Sequence, residues 1–144
     1  MHNIIFITSA LGCITVAQSN AVILLVEDHA DIRRLVRMTL EMEPCTVLEA
    51  GDVQEATALL NTCRPDLALL DVMLPGPRNG LTLCAELRAS FPDLPILMLS
   101  ALHAPSDRDA GSSAGATDYL SKPFSPLGLL DRVRALLPSP ASQP

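Results

Sequence analysis

The sequence predicts an α/β domain in which a doubly wound sheet of five parallel strands is covered by helices on both faces. Short, almost wholly apolar runs recur along the chain, and each ends in acidic, hydroxyl or turn-forming residues. The segments between these runs carry apolar residues at helical spacing instead. Such alternation is typical of βα repeats, which build parallel sheets. At 144 residues, 49% of them hydrophobic, the chain is long enough for one such domain with a substantial core.

The first predicted strand, residues 21–27, is apolar up to Glu27, so we place it in the centre of the sheet. The apolar positions of the helix that follows are Ile32, Leu35, Val36 and Leu40. The arginines between these positions are expected mostly to face water: Arg33, Arg34 and Arg37. Pro44 closes the segment, and the second strand, 46–50, is less apolar and is expected nearer an edge.

The second helix is predicted to begin at Asp52, because Glu55 follows at the spacing of a capping box. Its apolar positions are Val53, Ala56, Leu59, Leu60 and Cys63. The third strand, 67–71, is apolar until it reaches Asp71, and Pro75 ends the segment. A short apolar run of this kind is typical of a strand that is buried on both faces.

The third helix follows a loop rich in turn formers, 75–80, and its inward residues are predicted to be Leu83, Cys84, Leu87 and Phe91. The fourth strand, 96–99, leads into Ser100. The fourth helix, 103–114, has low helical propensity because it contains glycine and serine. After the fifth strand, 116–120, Ser125 caps the last helix. The apolar positions of that helix are Leu129, Leu130, Val133, Leu136 and Leu137.

Charge and cysteine content exclude some classes of function. The net charge of −6 argues against direct binding of nucleic acid, which needs a basic surface. None of the four cysteines forms a CxxC pair: Cys13, Cys45, Cys63 and Cys84. We therefore expect buried free thiols rather than a metal site or a disulfide framework.

The chain divides into an apolar N-terminal extension (1–20), the folded domain (21–137) and a disordered tail (138–144). Residues 4–17 are almost wholly apolar, but they are too short for a confident membrane span, and no lysine or arginine precedes them. Three interpretations stay open for this stretch. It is a misassigned start with a poorly ordered extension, an extra helix packed on the domain, or a targeting segment.

Chemically active side chains follow four of the five strands. Glu27 and Asp28 follow the first strand, Asp71 ends the third, Ser100 follows the fourth and Lys122 follows the fifth. Because the carboxyl ends of parallel strands meet at one edge of the sheet, these groups are predicted to share a site. Each residue alone has an ordinary structural explanation, and only their joint occurrence at strand ends makes them a strong signal.

The chemistry of this set favours phosphoryl transfer. Three crowded carboxylates raise one another's pKa values until a cation enters, and oxygen ligands select a hard ion such as Mg²⁺. Lys122 suits pairing with a carboxylate and with a phosphate, while Ser100 can donate a hydrogen bond to an incoming oxygen. Asp71 stands alone on its strand and is the best candidate for a nucleophile that becomes an aspartyl phosphate.

Four segments resemble the signature segments of response-regulator receiver domains, the phosphoacceptor modules of two-component signalling. They are residues 24–28 (LLVED), 71–76 (DVMLPG), 99–101 (LSA) and 115–124 (GATDYLSKPF). The likeness extends over about residues 21–137. It implies a flavodoxin-like (βα)5 fold with strand order 2-1-3-4-5.

The resemblance also implies the chemistry of the site. Asp71 is expected to be the phosphoacceptor, with Mg²⁺ bound by Glu27, Asp28, Asp71 and the backbone carbonyl of Met73. Ser100 is expected to act as the switch hydroxyl that moves to the phosphoryl group.

Two further expectations come from the fifth strand. Lys122 is expected to pair with the phosphorylated site, and its peptide bond to Pro123 is expected to be cis. Tyr119 is expected to be the switch aromatic, whose ring changes exposure with phosphorylation.

As a receiver, the chain is expected to take its phosphoryl group from a sensor histidine kinase or a histidine phosphotransfer protein in the cytoplasm. No output motif follows Leu137 in this sequence. We therefore expect a stand-alone phosphoprotein that signals through a partner protein or serves as a relay or sink. We expect no turnover enzyme. The face formed by the fourth helix, fifth strand and last helix is a candidate surface for a homodimer, and the sequence leaves the oligomeric state open.

Two departures from the family pattern are evident. The loop 75–80 is one residue longer than the commonest form, and the predicted helix 103–114 is unusually rich in glycine and serine. Two apolar residues near the site, Met73 and Leu102, cannot orient a hydrolytic water by hydrogen bonding. We therefore expect slow autodephosphorylation.

Two other classes of protein are alternatives to a receiver. A phosphohydrolase with an aspartyl nucleophile resembles a DxD pattern, but Met73 stands where the second acid is needed. A flavodoxin-like binding module needs a glycine loop that cradles phosphate, and no GxGxxG follows a strand. Labelling by a small acyl phosphate with Mg²⁺ separates the three classes.

Overall fold

A computed structural model of the chain describes residues 6–8, 14–16, 20–101 and 112–137. The strands are β1 Phe6–Thr8, β2 Ile14–Val16, β3 Ala21–Val26, β4 Cys45–Ala50, β5 Leu67–Asp71, β6 Ile96–Ser100 and β7 Asp118–Ser121. The helices with assigned bounds are α1 Ala30–Leu40, α2 Val53–Leu60, α3 Gly80–Ser90 and α4 Pro126–Leu136. The predicted helix 103–114 lies largely outside the described residues, of which 112–114 are helical.

The main sheet has five parallel strands in the order β4-β3-β5-β6-β7. This is the predicted order 2-1-3-4-5, and the fold class is confirmed. Every residue of β5 and β6 is buried, as expected of strands covered on both faces. The less apolar strand β4 lies at an edge, as its composition predicted.

Two apolar clusters fill the space on the two faces of the sheet. Successive side chains of a strand point to opposite faces, so Leu24 and Val26 enter one cluster while Ile23 and Leu25 enter the other. Helices α2 and α3 cover the first cluster, and α1 and α4 cover the second. The sheet packed between these two clusters therefore fixes the position of the last residue of each strand.

Side-chain caps fix where three helices begin. Asp52 Oδ1 accepts a hydrogen bond from the Glu55 N–H at 2.8 Å, and Ser125 Oγ accepts one from the Gly128 N–H at 2.9 Å. Both caps were predicted. Asn79 Oδ1 caps α3 by accepting from the Leu81 N–H at 2.9 Å.

Helix α1 differs from its prediction in which residues face inward. Leu35 is 54% exposed, whereas Thr39 is buried. Thr39 can be buried because its hydroxyl donates to the Leu35 carbonyl at 2.8 Å, so the hydroxyl has a partner inside the helix. The prediction of Leu35 as a core position was therefore wrong.

Strand β7 begins at Asp118, two residues later than predicted. Thr117 belongs to the preceding connection, and its N–H donates to the Ile96 carbonyl at 2.8 Å. The Thr117 hydroxyl accepts from the Ile96 N–H at 3.0 Å, so this side chain substitutes for strand pairing at the start of β6. The sequence predicts Thr117 as part of the strand because β-branched residues such as threonine are frequent in strands.

The N-terminal strands β1 and β2 pair antiparallel with each other. The interpretation of residues 4–17 as a helix is therefore wrong for these six residues. No helix among the described residues is long and apolar enough to cross a membrane. The expected tail, 138–144, lies outside the described residues.

The cysteine prediction holds only in part. Cys84 is a buried free thiol, and Cys45 is free and half-buried. Cys63 is disulfide-bonded, which contradicts the expected free thiol. Sequence spacing could not reveal this bond, because a disulfide depends on which segments meet in space. Cys13 lies outside the described residues.

Candidate functional site

The carboxyl ends of β3, β5, β6 and β7 meet at one edge of the sheet, as predicted. Glu27 and Asp28 follow β3, Asp71 ends β5, Ser100 ends β6 and Lys122 follows β7. The strand register sets Asp71 beside Leu99 and Ser100 beside Ser121. This edge of the sheet is called the acidic edge below.

Lys122 joins two of the carboxylates at the acidic edge. Its Nζ lies 2.7 Å from Glu27 Oε1 and 3.2 Å from Asp71 Oδ2. Its backbone N–H donates to the Ser100 carbonyl at 2.6 Å, which ties the start of this loop to β6. The Lys122–Pro123 bond is cis, as expected. The ammonium group is therefore held between the two carboxylates by a fixed backbone.

The two carboxylates that share Lys122 have opposite pKa shifts. Burial acts to raise the pKa of Glu27, but the hydrogen bond from Lys122, the N–H of His29 and the charge of Lys122 hold it below its usual range. Burial raises the pKa of Asp71, the charge of Glu27 adds to the rise, and the Met73 N–H and Lys122 oppose it. Asp71 is thus the less stabilised anion of the pair.

Lys122 stays charged in this environment. Burial acts to lower its pKa, but the hydrogen bond to Glu27 and the charges of Asp71 and Glu27 outweigh burial and raise it. An ammonium group that remains protonated can neutralise negative charge brought to the site.

Asp71 is fixed by contacts of its own. The Met73 N–H donates to Asp71 Oδ1 at 3.1 Å, while Oδ2 faces Lys122. The Met73 side chain is 61% exposed beside the site. The carboxylate is therefore oriented by two donors and is flanked by an apolar group that cannot donate a hydrogen bond.

The described residues of the acidic edge fit a divalent cation. Ligand atoms of Glu27, Asp28, His29 and Asp71 lie within 4.8 Å of one another. Asp28 Oδ1 is buried and has no hydrogen-bond partner. A carboxylate oxygen in that position needs a positive partner, and Mg²⁺ accepts ligands of this kind. Glu27, Asp28 and Asp71 can therefore supply oxygen ligands to such an ion.

Gly80, the first residue of α3, was read in the sequence only as part of a turn. A Cβ atom at this position would lie 1.9 Å from the Asp71 carbonyl oxygen. The Gly80 N–H donates to the Val72 carbonyl at 3.1 Å. The start of α3 therefore rests directly on the backbone of Asp71, and glycine is required by close approach.

Sequence reasoning also missed two neighbours of Glu27. The Arg33 guanidinium, expected to face water, donates from Nη1 to the Glu27 carbonyl at 2.7 Å. The sequence predicts no role for His29, yet its N–H donates to Glu27 Oε2 at 3.1 Å. Its position directly after the acidic pair was the only available signal.

The two predicted switch residues are buried. Ser100 is fully buried at the end of β6, and Tyr119 is 8% exposed within the cluster that α2 and α3 cover. The Tyr119 carbonyl accepts from Arg132 of α4 at 2.9 Å, which links β7 to α4. Leu102, predicted to influence hydrolysis, lies outside the described residues.

The sequence family described as "Response regulator receiver domain" matches residues 23–134, most of the chain and all of the acidic edge. This chain belongs to the response regulator receiver family. The resemblance seen in the four sequence segments is thereby confirmed. Phosphorylation and Mg²⁺ binding are typical of receivers of two-component systems.

Individual relatives agree with this receiver assignment. Response regulator MprA of Mycolicibacterium vanbaalenii is 46% identical over 115 residues, which cover 80% of this chain and 49% of that protein. The receiver thus spans about half the length of the curated relatives it matches.

Solved structures agree as well. Chemotaxis protein CheY4 of Vibrio cholerae superposes with a TM-score of 0.78 at 33% identity, covering 83% of this chain and 100% of that chain. The receiver domain of the Francisella response regulator 1452 gives a TM-score of 0.75 at 32% identity, covering 81% and 96%.

Proposed function

We propose that this receiver is a phosphorylation-dependent switch that accepts a phosphoryl group on Asp71, with Mg²⁺ as the required ion. The observation that carries the proposal is the pairing at the acidic edge. Asp71 is buried, its pKa is raised, and its Oδ2 lies 3.2 Å from the Lys122 ammonium. A carboxylate with unfavourable solvation beside a fixed cation is suited to nucleophilic attack on a phosphoryl group.

The proposed reaction transfers one phosphoryl group from an imidazole of the donor to Asp71. A carboxylate oxygen of Asp71 forms a bond to phosphorus, and the bond between phosphorus and the donor's imidazole nitrogen breaks. The donor ring is protonated on its other nitrogen, so it leaves as a neutral imidazole and the second product is an aspartyl phosphate. Glu27, Asp28, Asp71 and the backbone carbonyl of Met73 would hold the ion, which would neutralise charge on the phosphoryl oxygens.

We propose that the switch works through new partners for the phosphoryl oxygens. Phosphorylation adds charge and strong acceptor atoms. Lys122 can move its ammonium from Glu27 to those oxygens, and the Ser100 hydroxyl can donate to them. Because the Lys122 N–H is bonded to the Ser100 carbonyl, a shift of either residue moves the ends of β6 and β7 together. Tyr119 follows as part of β7, and the modified state is stabilised only by such differential contacts.

The proposed donor is a sensor histidine kinase or a histidine phosphotransfer protein of the cytoplasm, where ATP feeds the phosphorelay. The proposed output is a change in binding to a downstream protein. We propose no catalytic turnover beyond self-phosphorylation and slow autodephosphorylation, because Met73 cannot orient a hydrolytic water.

Incubation with a small acyl phosphate and Mg²⁺ tests the proposal, with intact mass spectrometry as the readout. We expect one phosphoryl group on the wild type and none on Asp71→Asn. The matched control is Asp66→Asn, which changes an exposed aspartate at the opposite end of the same strand. Labelling that survives in Asp71→Asn contradicts the assignment of this residue.

Two other outcomes would contradict the proposal and favour a different function. Continued release of inorganic phosphate over many turnovers would identify a hydrolase. An absence of labelling in the wild type, with and without Mg²⁺, would identify a receiver-like binding module. Chelation of Mg²⁺ by EDTA should abolish labelling if the switch is as proposed.

A further inference from the structure

His29 stands at the N-cap of α1 but does not cap the helix. Its backbone is extended there, and its side chain accepts no hydrogen bond from the first turn. Serine, threonine, aspartate and asparagine are the residues that normally cap at this position. The imidazole of His29 turns instead toward the two carboxylates that precede it in the chain.

The contacts of the ring are both made by Nδ1. This atom lies 3.2 Å from Glu27 Oε2 and 3.3 Å from Asp28 Oδ1. The rest of the side chain is exposed, so these two contacts define its orientation. The Asp28 oxygen is the same buried atom that has no hydrogen-bond partner.

Glu27 divides its two carboxylate oxygens between two functions. Oε1 accepts the Lys122 ammonium at 2.7 Å, while Oε2 faces His29. An ion bound through Oε2 therefore leaves the Lys122 pair intact. Nδ1 of His29 and Oδ1 of Asp28 are the atoms next to that oxygen.

The separations of these atoms suit neighbouring ligands of one ion. Neighbouring ligands of an octahedral ion lie about 3.0 Å apart when the metal–ligand bonds are about 2.1 Å long. The Nδ1–oxygen separations of 3.2 and 3.3 Å are close to that value. The ligand atoms of all four residues, Asp71 included, lie within 4.8 Å of one another.

We propose that His29 adds an imidazole nitrogen to the oxygen ligands of the acidic edge. The site then holds late first-row ions such as Ni²⁺ more tightly than an all-oxygen site can, while Mg²⁺ and Mn²⁺ still bind through the carboxylates, Mn²⁺ with the imidazole as an additional ligand. Imidazole favours late first-row ions, and carboxylates favour Mg²⁺ and Mn²⁺. The proposal rests on the proposed function in one respect, because it requires that Glu27, Asp28 and Asp71 bind the divalent ion.

The first test is spectroscopic and uses the full-length, untagged chain loaded with Mn²⁺. Electron spin echo modulation detects an imidazole nitrogen bonded to Mn²⁺. We expect that signal in the wild type and in Asn61→Ser, which changes an exposed residue at the end of α2, and its loss in His29→Ser. Serine is chosen because it is a favoured N-cap residue and is too short to replace the ring.

Calorimetric titration with Ni²⁺ and with Mg²⁺ gives an independent readout. We expect the Ni²⁺ affinity to fall by about tenfold or more in His29→Ser, as is typical when a ligand or its support is lost. The Mg²⁺ affinity should stay within about twofold, since carboxylates alone serve that ion. The Asn61→Ser control should change neither affinity.

The outcomes separate this inference from the function it rests on. Mn²⁺ that binds the wild type without a nitrogen signal, or with a signal that persists in His29→Ser, overturns the role of His29 and leaves the Mg²⁺ site standing. A wild type that binds neither Mn²⁺ nor Mg²⁺ overturns the metal site itself.

Discussion

The two edges of the central sheet treat charge in opposite ways. At the acidic edge one ammonium group pairs with two of the three carboxylates, and a buried oxygen of the third, Asp28, has no hydrogen-bond partner. At the opposite edge the charged groups Asp66 and Arg88 meet complementary partners. Asp66 accepts from the Val22 N–H at 2.8 Å, and Arg88 donates to the carbonyls of Gly115, Phe91 and Pro92.

The acidic edge is therefore arranged for function, whereas the opposite edge is arranged for stability. Arg88 also reaches the Thr117 hydroxyl, so it fastens the end of α3 to the connection before β7 with neutral acceptors. Such bonds stabilise the fold without like-charge repulsion. The acidic edge keeps like charges together and needs an added cation to balance them. Removing the charge of Asp71 at the acidic edge and removing a hydrogen-bonding group at the opposite edge should therefore change stability in opposite directions.

The largest effect is expected from Gly80→Ala. The added methyl group must displace the Asp71 backbone, because it would lie 1.9 Å from that carbonyl oxygen. We expect a loss of about 3 kcal/mol in the free energy of unfolding, at the upper end for overpacking, together with loss of phosphorylation. Urea denaturation measures the first and acyl phosphate labelling the second.

Gly76→Ala is the control for this glycine. Gly76 has a positive φ of 96°, but no atom lies within 4 Å of the place its new methyl group would occupy, so only backbone strain of about 1 kcal/mol is expected. Equal losses for Gly80→Ala and Gly76→Ala would contradict the close-approach argument.

The second largest effect is expected from Arg88→Ala at the opposite edge. It removes the donors to Gly115, Phe91, Pro92 and Thr117. We expect the free energy of unfolding to fall by about 2 kcal/mol. Each well-made hydrogen bond contributes roughly 1 kcal/mol, and water molecules take the place of some of the lost guanidinium donors. Labelling of Asp71 in the folded variant should be unchanged. Arg34→Ala, which replaces an exposed arginine of α1, is the control and should be nearly neutral.

A smaller effect of opposite sign is expected from Asp71→Asn. Removing one charge from the acidic edge relieves its repulsion with Glu27, which contributes to the raised pKa of Asp71. Measured without divalent ions, the free energy of unfolding should rise, because the raised pKa of Asp71 means that its charged form is less stable in the folded chain than in the unfolded one. Asp66→Asn should instead lose a little stability, because it weakens a hydrogen bond to Val22.

The pH dependence of that difference follows from the direction of the shift. Below the ordinary aspartate value of 3.8, Asp71 is protonated in both the folded and the unfolded chain, so Asp71→Asn has no electrostatic advantage there. The advantage should grow as the pH rises from 3.8 to the raised pKa of the folded state, and then level off. An advantage that is constant from pH 3 to pH 7 would contradict this account.

Glu27 has the opposite dependence because its pKa is lowered in the folded state. Its pairing stabilises the fold above the ordinary glutamate value and is lost as the pH falls through the lowered one. Both carboxylates therefore make the free energy of unfolding depend on pH in the acidic range, but only the ionised Glu27 favours folding at neutral pH.

The smallest effect on energy is expected from Met73→Asn. The exposed amide can orient a water molecule near the phosphoryl group, so we expect the phosphorylated state to decay severalfold faster. This corresponds to a decrease of less than about 1.4 kcal/mol in the activation free energy of hydrolysis. Decay of labelled protein with Mg²⁺ present measures it. The exposed Met42→Asn is a control outside the acidic edge. A wild-type lifetime of only seconds that is the same in Met73→Asn would contradict the hypothesis.

The sequence predicted the parts of this molecule that depend on local signals. Asp71 ends an apolar run and Lys122 follows another, so their meeting at one edge required only that both strands run in the same direction and lie close together in one sheet. The caps at Asp52 and Ser125 were equally local, since each acts on residues three positions away. The family resemblance then supplied the strand order.

What the sequence could not predict depends on distances across the fold. Gly80 matters because α3 starts against the backbone of β5, and Arg88 matters because its acceptors on Gly115 and Thr117 lie far away in the chain. The burial of Thr39 in place of Leu35 reflects how α1 is rotated on the sheet. The disulfide of Cys63 likewise depends on a meeting of segments that no spacing reveals.

Helix α3 touches both edges, and this limits which changes of length the chain can tolerate. Its first residue rests on Asp71, and Arg88, in its last turn, grips the connection before β7. Inserting or deleting one residue between them would turn Arg88 by about 100° around the helix axis and shift it by about 1.5 Å. Related receivers should therefore keep the number of residues between these two contacts constant and vary the length of the loop 75–79 instead.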